Sequence, residues 1–282
     1  VNLDLDTVRE IVRRALDEDV GSGDVTTNIV VPGDATTLGV ITSKEDGILC
    51  GIDVARMVYE EIDPELEFEK LMADGTPLSF GAACARLMGR ARSCLTGERV
   101  ALNLVQRMSG VSTLTAEYVK AVEGTGAVIM DTRKTMPGLR VLDKYAVSVG
   151  GGRNHRYGLY DMVLIKSNHL EPAGGIEAAV RKVKEANGGG IKIEVEVSSL
   201  RDLDKALGAG VDQIMLDNMR VKDMERAVRM AAGRVKLEAS GGINLENVRK
   251  VASTGVDYIS VGALTHSASA VDMSLRLRQI GN

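Results

Sequence analysis

Tryptophan is absent from this 282-residue chain, and aromatic residues make up only 3% of it. A chain this poor in flat rings offers no evident stacking platform for bases, and a net charge of −4 argues against a general nucleic-acid binder. Cysteine is scarce as well. Cys50, Cys84 and Cys94 are odd in number and lack CxxC spacing, so neither a disulfide framework nor a zinc site is expected, and all three read as small buried apolar residues. No apolar run approaches the roughly 20 residues needed to span a bilayer. Residues 1–6 show no basic stretch followed by an apolar one, so a signal peptide is not expected and a cytoplasmic enzyme without membrane contacts is. What remains is the balance of a globular protein, 44% hydrophobic and 26% charged, long enough for one large or two modest domains.

Charge is unevenly spread. Between Asp131 and Lys166 stand seven basic residues, Arg133, Lys134, Arg140, Lys144, Arg153, Arg156 and Lys166, against the acids Asp131, Asp143 and Asp161. An acidic protein that gathers cations in one segment is suited to hold a small polyanion there.

The periodicities change along the chain. Thr7-x-x-Glu10 has the form of a capping box, and Val8, Ile11, Val12, Ala15 and Leu16 make one apolar stripe, so a helix is predicted that ends at Gly21 and Gly23. Strands are predicted at Thr37–Thr42 and Gly47–Cys50, a helix over Val54–Ile62, and a long helix over Val100–Val122. From about Ala127, strands and helices alternate. The strand candidates are Val128–Met130, Met162–Ile165, Ile191–Val197, Asp212–Leu216, Val235–Ala239 and Tyr258–Val261, with Ser199 and Asn244 as helix caps. Leu200–Leu216 and Leu245–Val261 repeat one pattern, a helix, then Gly-Val-Asp, then an apolar strand. Repeated short units of this kind imply a parallel sheet covered by helices, either a closed or nearly closed α/β barrel or a doubly wound open sheet.

Polar residues recur just after these strands: Asp131–Lys134, Lys166, Glu194 with Glu196 on one strand face, Asp217–Asn218, Ser240–Gly242 and Gly262. In α/β barrels the C-terminal strand ends build the active site, and the last two loops often form a phosphate cradle. Ser240-Gly241-Gly242 and Gly262-Ala263-Leu264-Thr265 suit that task, because backbone N–H groups unobstructed by a Cβ can approach phosphate oxygens. Gly150-Gly151-Gly152 marks a sharp turn or a close backbone approach. His155, His169 and His266, the only histidines, fall in the basic segment, just after Lys166 and beside the cradle. Glu196 and Asp217 suit a divalent ion completed by substrate oxygens.

Asp131-Thr132-Arg133-Lys134-Thr135-Met136-Pro137-Gly138-Leu139-Arg140 resembles the signature of the quinolinate phosphoribosyltransferases, as do Gly150–Leu159, Leu164–His169, Glu194–Glu196, Leu216–Asn218, Ala239–Gly242 and Ser260–Ser267. Glu18–Val20, Gly23–Thr27 and Gly97–Asn103 extend the likeness over nearly the whole chain. Ser167 and Met136 depart from it, standing where Asp and Thr are common. The resemblance implies an N-terminal α/β sandwich domain over residues 1–112, with 270–282 packing back on it, and a TIM-like α/β barrel over 113–269. It further implies transfer of a phosphoribosyl group from phosphoribosyl diphosphate to quinolinate with decarboxylation, dependent on Mg²⁺ and on no organic cofactor. The family forms homodimers with sites shared between subunits, in some cases assembled further. Carried over, Arg133, His155, Arg156 and the second copy's Arg99 hold the quinolinate carboxylates. Lys134 and Lys166 face the diphosphate, Glu196 and Asp217 take the ribose hydroxyls and Mg²⁺, and Ser240, Gly241, Gly262 and His266 hold the 5′-phosphate. A nicotinate phosphoribosyltransferase or the paralogue associated with molybdenum transport would share this frame, but Arg99, Arg133, His155 and Arg156 together favour a dicarboxylate. A barrel that merely binds a phosphorylated metabolite would need the glycine cradle but not the paired acids and lysines.

Overall fold

The computed structural model describes residues 3–187 and 190–279. Its strands are β1 (Thr36–Ser43), β2 (Gly47–Ile48), β3 (Glu67–Lys70), β4 (Pro77–Leu78), β5 (Ala83–Arg90), β6 (Val128–Met130), β7 (Val163–Ile165), β8 (Ile193–Val197), β9 (Gln213–Asp217), β10 (Lys236–Ser240), β11 (Tyr258–Ser260) and β12 (Met273–Gln279). The chain divides into two compact units. One comprises residues up to Ala116, Thr135–Gly151 and the segment from Thr265; the other comprises Glu117–Lys134 and Gly152–Leu264. Among the described residues no helix is long and apolar enough to cross a membrane. Cys50, Cys84 and Cys94 are free and buried, as the sequence suggested.

In the first unit, β12, β1, β5 and β3 form an antiparallel sheet in that order. The C-terminal strand returns to pair with β1, Val40 opposite Arg276. The helix Leu5–Val20 buries Val8, Val12 and Leu16, the core of the predicted stripe. Its cap, however, is Asp4 and not Thr7. Asp4 accepts the Thr7 hydroxyl at 2.7 Å and its amide at 3.4 Å, so the helix starts ahead of the expected capping box. The long helix runs Ala91–Ala121, beginning more than two turns before the predicted start. Gly97 hides that first part in the sequence, since mid-helix glycine weakens the signal. A Cβ there would lie 2.8 Å from the Tyr59 ring, so glycine lets the helix approach it.

Thr135–Gly151, expected in the barrel, groups with the first unit. Arg107 on the long helix grips the buried Asp143 through two bonds of 3.0 and 2.8 Å. At Gly150 a Cβ would sit 2.4 Å from the Ser112 carbonyl oxygen, the close approach that the glycine run implied.

In the second unit six parallel strands follow the order β6-β11-β10-β9-β8-β7. The order advances by one strand each time without reversal, and the first strand of the series lies beside the last. That is the winding of a barrel, not of a doubly wound sheet, whose strand order reverses at a switch point. On its other edge β6 makes a one-residue parallel bridge, Met130 to Arg153. Among the described residues β6 and β7 do not pair, so the barrel is incomplete between them. The outward residues Val195, Val197, Ile214, Leu216, Leu237, Ala239 and Ile259 are buried, as in a parallel sheet covered by helices, while β8, β9 and β10 alternate them with mostly polar residues on the inner face. Ser199 caps the helix Leu200–Ala209 as expected, accepting the Asp202 amide. The second repeat's helix begins at Val248 instead of Leu245, because the Asn244 side chain accepts the amides of Glu246 and Asn247 and holds a turn there.

Candidate active site

Register fixes which side chains face the barrel interior. Neighbours in a parallel pair share a face, so Leu164, Glu194 and Gln213 lie at one level, Glu196, Met215 and Glu238 at the next, and Asp217 with Ser240 at the C-terminal rim. A cavity of about 400 Å³ opens above them, lined by Thr132, Arg133, Lys134, His155, Arg156, Lys166, Glu196, Asp217, Ser240, Gly241 and Gly262 among others. Ten of the twelve residues expected at the site therefore meet in one place, and the whole lining belongs to the barrel unit.

Asp131, fully buried at the end of β6, organises the cationic side. Its carboxylate accepts the His155 amide at 2.8 Å and the Asn154 side chain at 2.7 Å. Together with the Arg153 bridge, this holds the segment that carries His155 and Arg156 against the strand. Arg156 is half-buried and donates to the Met162 carbonyl at 3.2 Å. Burial, and then the charge of Arg133, lower its pKa, although a guanidinium remains charged. Lys166 leaves the end of β7 and reaches Glu196, Nζ to Oε2 3.7 Å. His169 closes a local turn, its Nδ1 accepting the Lys166 amide at 3.0 Å.

On the opposite side Gly241 takes φ +90°, and a Cβ there would lie 2.3 Å from the Asn218 side chain. Asn218 itself has φ +52°, rare for a non-glycine residue, and its side chain donates to Asp217 at 3.1 Å. Strain thus collects at the rim beside the glycine turn. Glu196 and Asp217 present carboxylates to the same cavity from neighbouring strands, a hard-oxygen donor set that fits Mg²⁺ completed by phosphate oxygens.

His155 was expected to touch a substrate carboxylate directly. Its side chain is 6% exposed; Nδ1 is hydrogen-bonded, while Nε2 stands close to two carboxylates without hydrogen-bond geometry to either. Nδ1 accepts the Arg156 amide at 2.7 Å, while Nε2 faces Glu194 at 3.0 Å and Glu238 at 3.3 Å. Burial disfavours a charged imidazole, while the two carboxylates favour a proton on Nε2, the nitrogen that faces them. Burial also raises the pKa of Glu194, opposed by its contact with His155. Gln213 bridges the acids, donating to Glu194 at 2.9 Å and Glu238 at 2.7 Å. Sequence reasoning passed over Glu238 and Gln213. The available signal was a glutamate in mid-strand at an inward position, two residues before Ser240.

Two expected residues belong to the first unit. Arg99 sits on the long helix, its side chain 59% exposed, and lines a shallow cavity with Asp19, Asp24 and Thr96. His266 is exposed and bonds the Ser267 hydroxyl at 2.6 Å.

The family description "Quinolinate phosphoribosyl transferase, C-terminal domain" matches residues 111–276, and its N-terminal-domain counterpart matches residues 24–109. This chain belongs to the quinolinate phosphoribosyltransferase family. The nicotinate-nucleotide pyrophosphorylase [carboxylating] of Mycobacterium leprae is 45% identical over 280 residues, 97% of this chain and 98% of the relative. The tobacco (Nicotiana tabacum) protein named quinolinate phosphoribosyltransferase [decarboxylating] 2b, mitochondrial, is 42% identical over 96% of this chain and 82% of its own length. Among solved structures, the nicotinate-nucleotide pyrophosphorylase of Francisella tularensis matches with a TM-score of 0.95 at 41% identity, covering 98% of both chains. A human nicotinic acid phosphoribosyltransferase shares the fold at 12% identity, with a TM-score of 0.61 over 97% of this chain and 74% of its own. Family membership agrees with a cavity that pairs a cationic wall with a glycine cradle.

Proposed function

We propose that this chain transfers the phosphoribosyl group of phosphoribosyl diphosphate to quinolinate and releases diphosphate and carbon dioxide, yielding nicotinate mononucleotide. The observation that carries this reading is the single cavity in which Arg133, Lys134, Arg156 and Lys166 face the Ser240–Gly241 and Gly262 turns, with Glu196 and Asp217 beside them. Family membership supports it.

The substrates match the two sides chemically. Planar guanidinium forks on Arg133 and Arg156 suit two-point recognition of carboxylates. The backbone N–H groups of the glycine turns suit a 5′-phosphate, with His266, at the end of the helix Ala263–His266 that follows Gly262, as a further donor. Lys134 and Lys166 stabilise the charge that accumulates on the departing diphosphate. Glu196 and Asp217 are the residues that would hold Mg²⁺, which when bound neutralises diphosphate oxygens. The same two carboxylates face the ribose carbon as it gains positive character. The bond from that carbon to the diphosphate oxygen breaks, and the pyridine nitrogen's lone pair makes the new bond. The nitrogen is then cationic, so the adjacent carboxylate leaves as carbon dioxide while its electron pair stays on the ring carbon, which takes a proton from water. Positioning and electrostatics supply the catalysis, with no covalent intermediate on the protein.

The assembly we propose is a homodimer in which the second copy's Arg99 reaches this site. Its exposure in the first unit supports that role. Mixing Arg99→Ala with Lys166→Ala subunits should recover activity that neither variant has alone, because one site of the mixed dimer is then intact. The deciding assay for the reaction is release of labelled carbon dioxide from carboxyl-labelled quinolinate. It should require both phosphoribosyl diphosphate and Mg²⁺; binding of both substrates with no release at any Mg²⁺ concentration would overturn the assignment.

A further inference from the structure

At the cavity floor, which His155 and Glu238 help to line, lies a polar cluster that takes no step in the reaction described above: Glu194, Gln213, Glu238 and the His155 ring. Both glutamates are fully buried. Buried carboxylates this close together are costly unless they are bonded, and their arrangement shows what the bonds achieve. Gln213 ties Glu194 to Glu238 with one amide nitrogen, at 2.9 and 2.7 Å. The joined acids then present oxygens to a single atom, His155 Nε2, at 3.0 and 3.3 Å. The far side of that ring accepts the Arg156 amide at 2.7 Å.

Three ligand-type atoms of His155, Glu194 and Glu238 lie within 4.8 Å of one another, which raises the question of a metal. The protonation pattern answers it. Since Nδ1 accepts from an amide N–H, its lone pair is taken up there and the ring proton sits on Nε2, on the side of the acids. A protonated Nε2 is a hydrogen-bond donor and not a metal ligand. The cluster therefore orients the imidazole.

We propose that Glu238 and Gln213 are positioning residues for quinolinate recognition, acting through His155 on the backbone that aims Arg156. The segment is held from two directions. Asp131 accepts the His155 amide, and the His155 ring accepts the Arg156 amide. The first contact fixes where the segment runs. The second fixes its rotation about the Arg156 backbone, and it depends on a ring pinned from below. An arginine fork that must meet a planar dicarboxylate tolerates little rotation. The glycine cradle begins at Ser240, two residues past Glu238 on β10, but the contacts of the cluster run to β8, β9 and the His155 segment, so the effect should fall on quinolinate.

This inference rests on the assignment of Arg156 to quinolinate, and a double-mutant cycle separates the two. Steady-state constants for both substrates are measured for the wild type, Arg156→Ala, Glu238→Gln and the double variant, with circular dichroism to confirm folding. Arg156→Ala should raise the quinolinate KM at least about tenfold. Glu238→Gln should raise it several-fold while the phosphoribosyl diphosphate KM stays within about twofold. The double variant should be no worse than Arg156→Ala alone, because the two residues act in series. If Glu238→Gln does not fold, Gln213→Asn, which shortens the bridge but keeps an amide, carries the same expectations. A normal quinolinate KM in Arg156→Ala would refute the assignment of that arginine, and the inference with it. A strong Arg156→Ala effect combined with a normal KM in the folded cluster variant, or with a double variant whose losses multiply, would overturn the positioning role alone.

Discussion

Replacing Gly241 with alanine perturbs the phosphate side of the site through one methyl group, and the structure sets the size of the effect. The added Cβ would lie 2.3, 2.5 and 2.7 Å from three atoms of the Asn218 side chain, closer than such carbons approach in folded proteins. Asn218 must turn away and give up its bond to Asp217, at about 0.5–1.5 kcal/mol. The backbone at φ +90° adds about 1–2 kcal/mol for any residue with a Cβ. Together these come to about 2 kcal/mol, a fall of roughly 4–8 °C in melting temperature for a protein of this size. The functional effect should exceed the thermal one in specificity: the KM for phosphoribosyl diphosphate rises, because the methyl stands where a phosphate oxygen would approach the backbone, while the quinolinate KM changes little. Gly208 is the control. It lies exposed in the helix Leu200–Ala209 with nothing within 4 Å of its would-be Cβ, so Gly208→Ala should gain about 0.5–1 kcal/mol. Differential scanning fluorimetry and initial rates on both variants suffice. Equal melting temperatures for the two, or an unchanged phosphoribosyl diphosphate KM in Gly241→Ala, would refute the reasoning.

Arg133→Ala should lower kcat/KM for quinolinate by at least about 100-fold, roughly 2.7 kcal/mol of transition-state binding; near-normal turnover would remove Arg133 from the carboxylate site. Arg107→Met leaves the buried Asp143 without its two-point partner and should cost about 3 kcal/mol in urea unfolding, with a change below about 1 kcal/mol counting against that pair as the anchor of Thr135–Gly151. The Ser93 hydroxyl, 2.6 Å from the buried Asp63, holds that carboxyl below its usual value against the burial that would raise it. Ser93→Ala should therefore destabilise the protein by about 1.5–3 kcal/mol at pH 7. Because the folded carboxyl is the more acidic, the contribution is complete above the unfolded value of about 4 and fades as pH falls through the folded one, so the gap between variant and wild type should close in acid. A gap that stays constant from neutral pH to below about 3 would contradict it.

The barrel was more legible than the first unit, and for a physical reason. Its strands are buried on the helix side, so each carries apolar residues at least at every second position, and every predicted strand from Val128 to Val261 appears within two residues of its place. The repeat in Leu200–Leu216 and Leu245–Val261 supplied the winding. Where a local side chain competes with periodicity the reading slipped, as at Asp4, which captures the cap from Thr7, and at Asn244, which spends its side chain on a turn. The grouping of Thr135–Gly151 with the first unit could not be read from the local pattern at all. It depends on Arg107 meeting Asp143 across 36 positions of sequence.

Glu194 and Glu196 show most sharply what a strand pattern can and cannot say. Two residues apart, they must face the same way, and the sequence places both toward the barrel interior. It cannot say how deep each one lies. Depth is set by register with the neighbouring strand: Glu196 stands level with Met215, one step below the rim at Asp217, whereas Glu194 stands level with Gln213, about 7 Å further down. At the upper level a carboxylate keeps contact with solvent and with Lys166. At the lower level it is sealed in, bonded by the Gln213 amide and facing the His155 imidazole, with a second glutamate close by. One residue type on one strand face thus stands in two settings, open to the cavity at the mouth and sealed in beneath it. The second became visible only once Glu238 arrived from a strand more than 40 residues away along the chain.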